Sequence, residues 1–397
     1  MRDGDDIDAE LDLRHRAFGP MTAEDREYWR AEVLAGVADS RQFGVWAGDR
    51  LVGAARFYDL RQWWHGRALP SAAIAGVKVA PEARGRGVGR ALITALLGAM
   101  TERGYPLSVL YPTTMPLYRS VGWELAGGLY RAEIPGRSLS SLLSAGAASQ
   151  RAEVRRAGTG DAEQVVAVLG AVHASARDCG PCTFDPATVR RWLAEPDFFC
   201  YLAQDGFLGY GWDGNDHEIM VHLLQAASAR TVRTFWEIVA SHATVADVVR
   251  ANVGPADPVG WLTREPDVSV RQYKPWMLRV LDPPAAIAGR GFRPAVDVSV
   301  PLLLADRDLP ANAGPHTLSV RGGRGELVPG ITGTPGASPA AQPVTLGPRG
   351  FAALFAGVPM ATLRRRARRR VRGDSVPAGL LLSRAVPAAA RDTPGRA

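Results

Sequence analysis

KVAPEARGRGVGRAL, Lys78–Leu92, sets three glycines and three arginines between the apolar run AAIAGV and the helix-spaced run ITALLGAMTERG. A strand, a glycine-rich turn and a helix in that order point several backbone N–H groups outward at the helix N-terminus, where they form an anion site. Glycine lets the backbone approach a phosphate closely, and arginine adds charge-assisted hydrogen bonds. Flexibility and positive charge therefore coincide here because both serve one phosphate ligand. The other reading is a tight strand-to-helix connection with solvated arginines. A Walker loop would need Gly-Lys-Ser/Thr, and a dinucleotide fingerprint would need G-x-G-x-x-G with an acid on a second strand; the stretch has neither.

Working outward, FGVWAGDRLVGAARFYDL (Phe43–Leu60) reads as a hairpin about a Gly-Asp turn, and AAIAGVKVA (Ala72–Ala80) as a third strand. In the helix that follows, Leu92, Leu96 and Met100 share one face and Gly104 is the stop. LSVLYP (Leu107–Pro112) is another strand, completing an α/β domain over residues 1–136. GRSLSSLLSAGAASQ (Gly136–Gln150) reads as a linker. In the next unit, residues 151–285, FCYLAQDGFLGYG aligns with FGVWAGDRLVGAA at one offset: Phe43 with Phe199, Ala47 with Ala203, Asp49 with Asp205, Gly53 with Gly209. That is the signature of a duplicated fold. The second copy has QAASARTVRTFWEIVASH where the first has the glycine-arginine loop, so only the first copy is expected to be active. A third region, residues 286–397, follows a strand-to-helix transition at Pro283 and Pro284; ELVPGITGTPGASPAAQP (Glu326–Pro343) reads as a mobile loop, and the last helices run through an arginine cluster.

A length of 397 residues suits two or three domains, and 46% hydrophobic with 22% charged residues suits a globular chain. No apolar run approaches the roughly 18 residues of a membrane span, and MRDGDDIDAE lacks the apolar region of a signal peptide, so a cytoplasmic location and no membrane partner are expected. Much of the net charge of +7 sits in Arg364–Arg372, within TLRRRARRRVRG. Such a run can bind nucleic acid, but it has no aromatic interleaving, and consecutive cations encircle a helix as a solvated or carboxylate-paired surface; no nucleic-acid partner is expected. Cys179, Cys182 and Cys200 make no disulfide framework. CGPC has the C-x-x-C spelling of a redox site, yet the segment before it has helical spacing and Gly-Pro reads as loop punctuation. No metal site is expected.

The spacing Arg84-x-x-Gly87-x-Gly89 after VKVAP resembles the acetyl-CoA-binding motif of the GNAT acetyltransferase superfamily. The resemblance implies that Val77, Lys78 and Val79 hold the pantetheine arm and that Arg84, Gly85, Arg86, Gly87, Val88, Gly89 and Arg90 hold the pyrophosphate. PLYRSVGWELAG (Pro116–Gly127) is similar to the family's second signature, in which Tyr118 holds the position of the acid that protonates the departing thiolate. A phenol, protonated at neutral pH, suits that task. The tandem layout is similar to that of the enhanced intracellular survival (Eis) N-acetyltransferases: tandem GNAT-like α/β (α+β) mixed-sheet domains followed by a sterol-carrier-protein-like α+β domain. This likeness further implies cofactor contacts from Thr113 and Thr114, a homohexamer, and a terminal carboxylate as base, here that of Ala397. The chain ends DTPGRA, without the family's terminal aromatic residue, so bound water is the other candidate for the base.

The expected activity is therefore acetyl transfer from acetyl-CoA to a primary amine of an aminoglycoside-like compound or a protein lysine. Glu24, Asp25 and Glu27 could line an amine pocket or form a solvated helix face. A GNAT-fold protein that binds CoA for regulation or another biosynthetic reaction is the alternative.

Overall fold

The computed structural model describes residues 3–143, 151–213, 217–254, 257–263, 267–330 and 343–366. The first sequence repeat opens with α1 (Asp3–Phe18) and α2 (Ala23–Ala38). A capping box starts α2: the Thr22 hydroxyl accepts from the Asp25 N–H at 3.1 Å, and the Asp25 carboxylate accepts from the Thr22 N–H. Glu24 and Glu27 are exposed on the same turns. Then come β1 (Gln42–Ala47), β2 (Arg50–Trp64), β3 (Arg67–Val79), α3 (Val88–Glu102), β4 (Leu107–Leu110), α4 (Met115–Arg119) and β5 (Glu124–Pro135). The β1–β2 turn falls at Gly48-Asp49, as its sequence predicts, but β2 runs four residues past Leu60 and turns into β3 at His65-Gly66.

The segment read as a linker begins with the short helix α5 (Gly136–Leu139) and a further helical turn to Leu143. The second repeat contains β6 (Val154–Arg156), α6 (Ala162–Ala176), β7 (Cys179–Thr183), α7 (Pro186–Leu193), β8 (Phe199–Ala203), β9 (Gly206–Trp212), β10 (Glu218–Ala226), α8 (Ala229–Ala240), β11 (Val248–Val253), α9 (Val259–Leu262) and β12 (Ser269–Val280). The last region holds α10 (Pro283–Gly289), β13 (Val298–Leu304), β14 (Gly314–Arg321), β15 (Arg324–Pro329), β16 (Val344–Leu346), α11 (Pro348–Phe355) and α12 (Met360–Arg366). Glu326–Pro329, read as loop, lies in β15; most of the remaining glycine- and proline-rich stretch, residues 331–342, lies outside the described residues.

Two compact units emerge. One comprises the described residues of 1–60, 69–126 and 276–382; the other, those of 61–68 and 127–275. In the first unit the strand order is β1-β2-β3-β4-β12, antiparallel at β1–β2, parallel at β3–β4 and antiparallel at β4–β12, where Met277 faces Leu110. In the second unit it is β6-β8-β9-β10-β11-β5, with β10–β11 parallel and β11–β5 antiparallel. β8-β9-β10-β11-β5 repeats the pattern of the first unit, with β6 added at its edge, and in each unit the strand beyond the parallel pair comes from the other repeat. The first unit also carries a four-stranded sheet, β15-β14-β13-β16.

The core of the first unit gathers Leu92, Ile93, Leu96, Leu97 and Met100 of α3 with Ala72, Ile74, Leu110, Tyr118 and Trp123. Burying each large apolar side chain stabilises the packing of α3 by roughly 1.5–3 kcal/mol. This packing fixes the first turn of α3 relative to the end of β3. In the second unit Phe235, Trp236 and Val239 of α8 pack with Leu208, Val221 and Val249.

CGPC is a strand rather than a loop: Cys182 faces Gln62 and Cys179 faces Trp64 within the second unit. β7 is short and lies off the main strand path, which tolerates Pro181, and Gly180 takes φ +110°. Burial pushes the Cys182 thiol up to about 12, with Gln62 pulling weakly the other way, which opposes thiolate chemistry.

Candidate active site

β3 and β4 pair only from Ser71–Leu107 to Ile74–Leu110. Beyond Ile74, β3 continues through Ala75–Val79 while the chain of β4 has already turned toward α4. Gly76, at φ +61°, bends β3 at the point where the two strands part. Val77 and Val79 are half-buried there, and Lys78 between them is 3% exposed.

The loop after β3 carries two left-handed glycines, Gly85 at φ +76° and Gly87 at φ +81°, with Gly87 as the N-cap of α3. A side chain would be strained at either position. The space beside both glycines is open to 4 Å, whereas a Cβ on Gly89 would touch Leu117 at 3.4 Å. No side-chain hydrogen bond caps α3, so the amides at its start keep their outward direction. Arg84 and Arg86 are exposed on this loop, and Val88 is half-buried. The residues present thus fit a diphosphate: left-handed glycines, a helix N-terminus and two solvent-facing guanidiniums. Arg90 is engaged differently. It donates to the Ser120 carbonyl at 2.7 Å, to the Ser120 hydroxyl at 3.0 Å and to Asp308 at 2.8 Å, tying α3 to α4 and to the chain after β13.

Thr113 and Thr114 are exposed, and Thr114 is the N-cap residue of α4 without a side-chain cap bond. Tyr118 on α4 is 4% exposed, and burial pushes its phenol up to about 12. It is therefore protonated at neutral pH, as a proton donor must be. The neighbouring Arg119 donates to the buried Glu124 at 2.8 Å, and Arg349 of α11 donates to the other Glu124 oxygen at 2.8 Å. This buried carboxylate between two guanidiniums fixes the helix that carries Tyr118. Ala397 and residues 367–372 of the arginine cluster lie outside the described residues; Arg364–Arg366 end α12. Among the described residues no group of His, Cys, Asp and Glu side chains could hold a metal ion, and no helix is long and apolar enough to cross a membrane.

A cluster that the sequence reading did not single out stands on the same strand end. Trp29 of α2 packs 3.4 Å from where a Gly76 Cβ would lie. The Arg56 guanidinium lies 4.1 Å from the centre of the Trp29 ring, and Lys78 Nζ lies 5.0 Å from it. Lys78 pairs with Glu10, which is fully buried and also accepts from Trp29 Nε1 at 2.9 Å. Burial draws the Lys78 ammonium down to about 8, against the opposing pull of Glu10. The available sequence signal was charge in apolar surroundings: Arg56 inside GAARFYDL and Lys78 inside AGVKVA.

Comparison with known proteins gives the family. Residues 3–126 match a model of the acetyltransferase (GNAT) domain and residues 188–280 match a second GNAT-domain model. The crystal structure of a GCN5-related N-acetyltransferase from Kribbella flavida is 40% identical, with 96% of this chain and 93% of that chain covered and a TM-score of 0.86. The chain belongs to the GCN5-related N-acetyltransferase (GNAT) family. It is an Eis-like GNAT: N-acetyltransferase Eis of Mycobacterium tuberculosis is 26% identical over 324 residues, 76% of each chain. Eis1 from Mycobacterium abscessus, 21% identical over 97% of this chain and 95% of its own, shares the fold at a TM-score of 0.71. The tandem GNAT organisation and the N-acetyltransferase class follow, and acetyl-CoA is the donor that GNAT acetyltransferases use.

Proposed function

We propose that this GNAT enzyme transfers the acetyl group of acetyl-CoA to a primary amine at the end of β3, in the first repeat. The observation that carries the reading is the pair of left-handed glycines at the uncapped start of α3, directly after a strand that outruns its parallel partner. In this reading the backbone of Val77–Val79 receives the pantetheine arm. The loop from Arg84 to Gly89 receives the pyrophosphate, with Arg90 holding the loop's helix in place, and Thr113 and Thr114 contact the cofactor as well. The acceptor nitrogen bonds to the acetyl carbon as the carbon–sulfur bond breaks. Tyr118 gives its proton to the thiolate, and the amine's proton passes to the Ala397 carboxylate or to water. Holding the two reactants together supplies much of the acceleration.

Aminoglycoside-like compounds and protein lysines are the acceptor classes to try first. The same reading gives the last region a sterol-carrier-protein-like fold, divides the chain at 1–136, 151–285 and 286–397, and places a homohexamer in the cytoplasm. The test is thiol release from acetyl-CoA with a panel of aminoglycosides, polyamines and lysine peptides, for the wild type, Tyr118→Phe and a chain lacking its last four residues. Turnover that collapses in Tyr118→Phe supports the assignment, and collapse in the shortened chain assigns the base to the terminus. Measurable CoA binding without transfer to any amine would overturn it in favour of a repurposed CoA-binding protein.

A further inference from the structure

The cluster around Trp29 is cationic. Arg14, Arg56 and Lys78 approach the Trp29 ring at 5.5, 4.1 and 5.0 Å. The carboxylates facing them are Glu10 and Glu32, and both are engaged. Glu10 accepts from Trp29, from Gln42 at 3.4 Å and from Lys78, and Glu32 is hydrogen-bonded to the Tyr58 hydroxyl. Among the described residues, three cations thus stand against these two carboxylates.

Arg56 is the decisive residue. It is 3% exposed, with its guanidinium over Trp29 and 5.2 Å from the centre of the Tyr58 ring. Its Nε and Nη1 are buried and have no hydrogen-bond partner among the described residues. A buried guanidinium with two unmatched donors is costly unless an anion completes it. Arg14 leaves its Nε unmatched beside the same ring, while its Nη1 donates to the Gly19 carbonyl at 2.9 Å. Trp29, Tyr58 and Arg14 are half-buried, so these three residues bring the cluster to solvent, and through Gly76 and Lys78 it is continuous with the end of β3.

We infer that the acceptor amine of this enzyme also bears an anionic oxo group, a carboxylate or a phosphate, which Arg56 with Arg14 receives beside the end of β3. This rests on the reading of that strand end as the place of acetyl transfer, and it departs from that reading in the acceptor: a zwitterionic amine takes the place of an aminoglycoside-like polycation. A polycationic acceptor would meet uncompensated positive charge here, whereas a zwitterionic amine would match it and be oriented by it.

The test compares matched acceptors in the thiol-release assay at fixed salt: 4-aminobutyrate, butylamine and 1,4-diaminobutane for the carboxylate arm, and 3-aminopropyl phosphate against 3-aminopropanol for the phosphate arm. The expected result is a kcat/KM higher by about tenfold or more for the anionic member of at least one arm, with the diamine poorest. The arm showing the larger ratio identifies the anion. Arg56→Gln should erase that ratio through the acceptor KM and leave the KM for acetyl-CoA in place, and Arg56→Lys should restore part of it. Equal rates within both arms, a preferred diamine or aminoglycoside, or an unchanged ratio in Arg56→Gln would overturn the inference while leaving acetyl transfer intact. Absence of transfer to every amine would instead overturn the underlying reading together with it.

Discussion

The two repeats build the same strand–helix junction and finish it in opposite ways. At the start of α3 the backbone turns through two left-handed glycines and leaves its amides without a side-chain cap. At the start of α8, Ser228 accepts from the Thr231 N–H at 3.2 Å, and the Asp205 carboxylate accepts from the Thr231 hydroxyl. Partial burial raises the Asp205 carboxyl, but the hydrogen bonds from Thr231 and Ser228 outweigh it and hold the group below its ordinary value. The second helix therefore satisfies its own positive end with a serine and a neighbouring carboxylate, as a structural helix does. The first keeps that end available for a ligand. The same kind of junction can serve binding or stability, and the identity of a few residues at the helix start decides which.

The comparison breaks most visibly at Tyr118, which α4 places beside the first junction. Tyr118→Phe should lower kcat by about 10²–10⁴-fold, as loss of a positioned general acid does, with the KM for acetyl-CoA little changed. Because burial holds the phenol up at about 12, the wild-type pH–rate profile should show no descending limb at the ordinary tyrosine value of 10. Steady-state kinetics across pH checks both.

A smaller effect is expected at Gly87, where φ is +81°. Gly87→Val forces a β-branched residue into the left-handed region, costing roughly 1–2 kcal/mol, and should weaken acetyl-CoA binding by about 5- to 30-fold in calorimetry. Removing either exposed guanidinium, with Arg84→Ala or Arg86→Ala, should weaken acetyl-CoA binding by about tenfold, and the loss should shrink as salt is raised.

The smallest effect tests the other side of the comparison. Ser228→Ala should destabilise the second unit by about 1 kcal/mol in urea denaturation and leave acetyl-CoA affinity unchanged. The contribution of Asp205 has a definite sign with pH: a depressed carboxyl stabilises fully above its unfolded value of about 3.9, and that stability is lost as pH falls through the folded value. Asp205→Asn should therefore flatten the acid limb of the stability curve. A loss of acetyl-CoA binding in either variant would show that the second junction is not merely structural.

Much of the first junction was legible in its residues. Gly85, Gly87 and the apolar face of α3 announce a turn and a helix through local rules, and those rules held. CGPC was misread because Gly-Pro is ordinarily punctuation; the pairing of β7 with the far end of β2, at residues remote in sequence, makes a short off-path strand that accepts a proline. Part of ELVPGITGTPGASPAAQP was misread for the same reason, since Glu326 faces Ser319 across a ladder that local composition does not reveal. Nor could spacing reveal the Trp29 cluster, whose members come from α1, α2, β2 and β3.

The sequence by itself determined that the chain contains two copies of one α/β pattern and that only the first carries a glycine-arginine loop, because turns, caps and helical periodicity are set by neighbouring residues. Tertiary structure alone decided the rest. It showed that β12 of the second repeat lies against β4 of the first while β5 of the first lies against β11 of the second, that Arg90 is drawn to Ser120 and Asp308, and that Glu10 meets Lys78 in a buried pair. Each of these joins residues tens to hundreds of positions apart, where the free energy comes from burial and charge pairing that no local stretch contains.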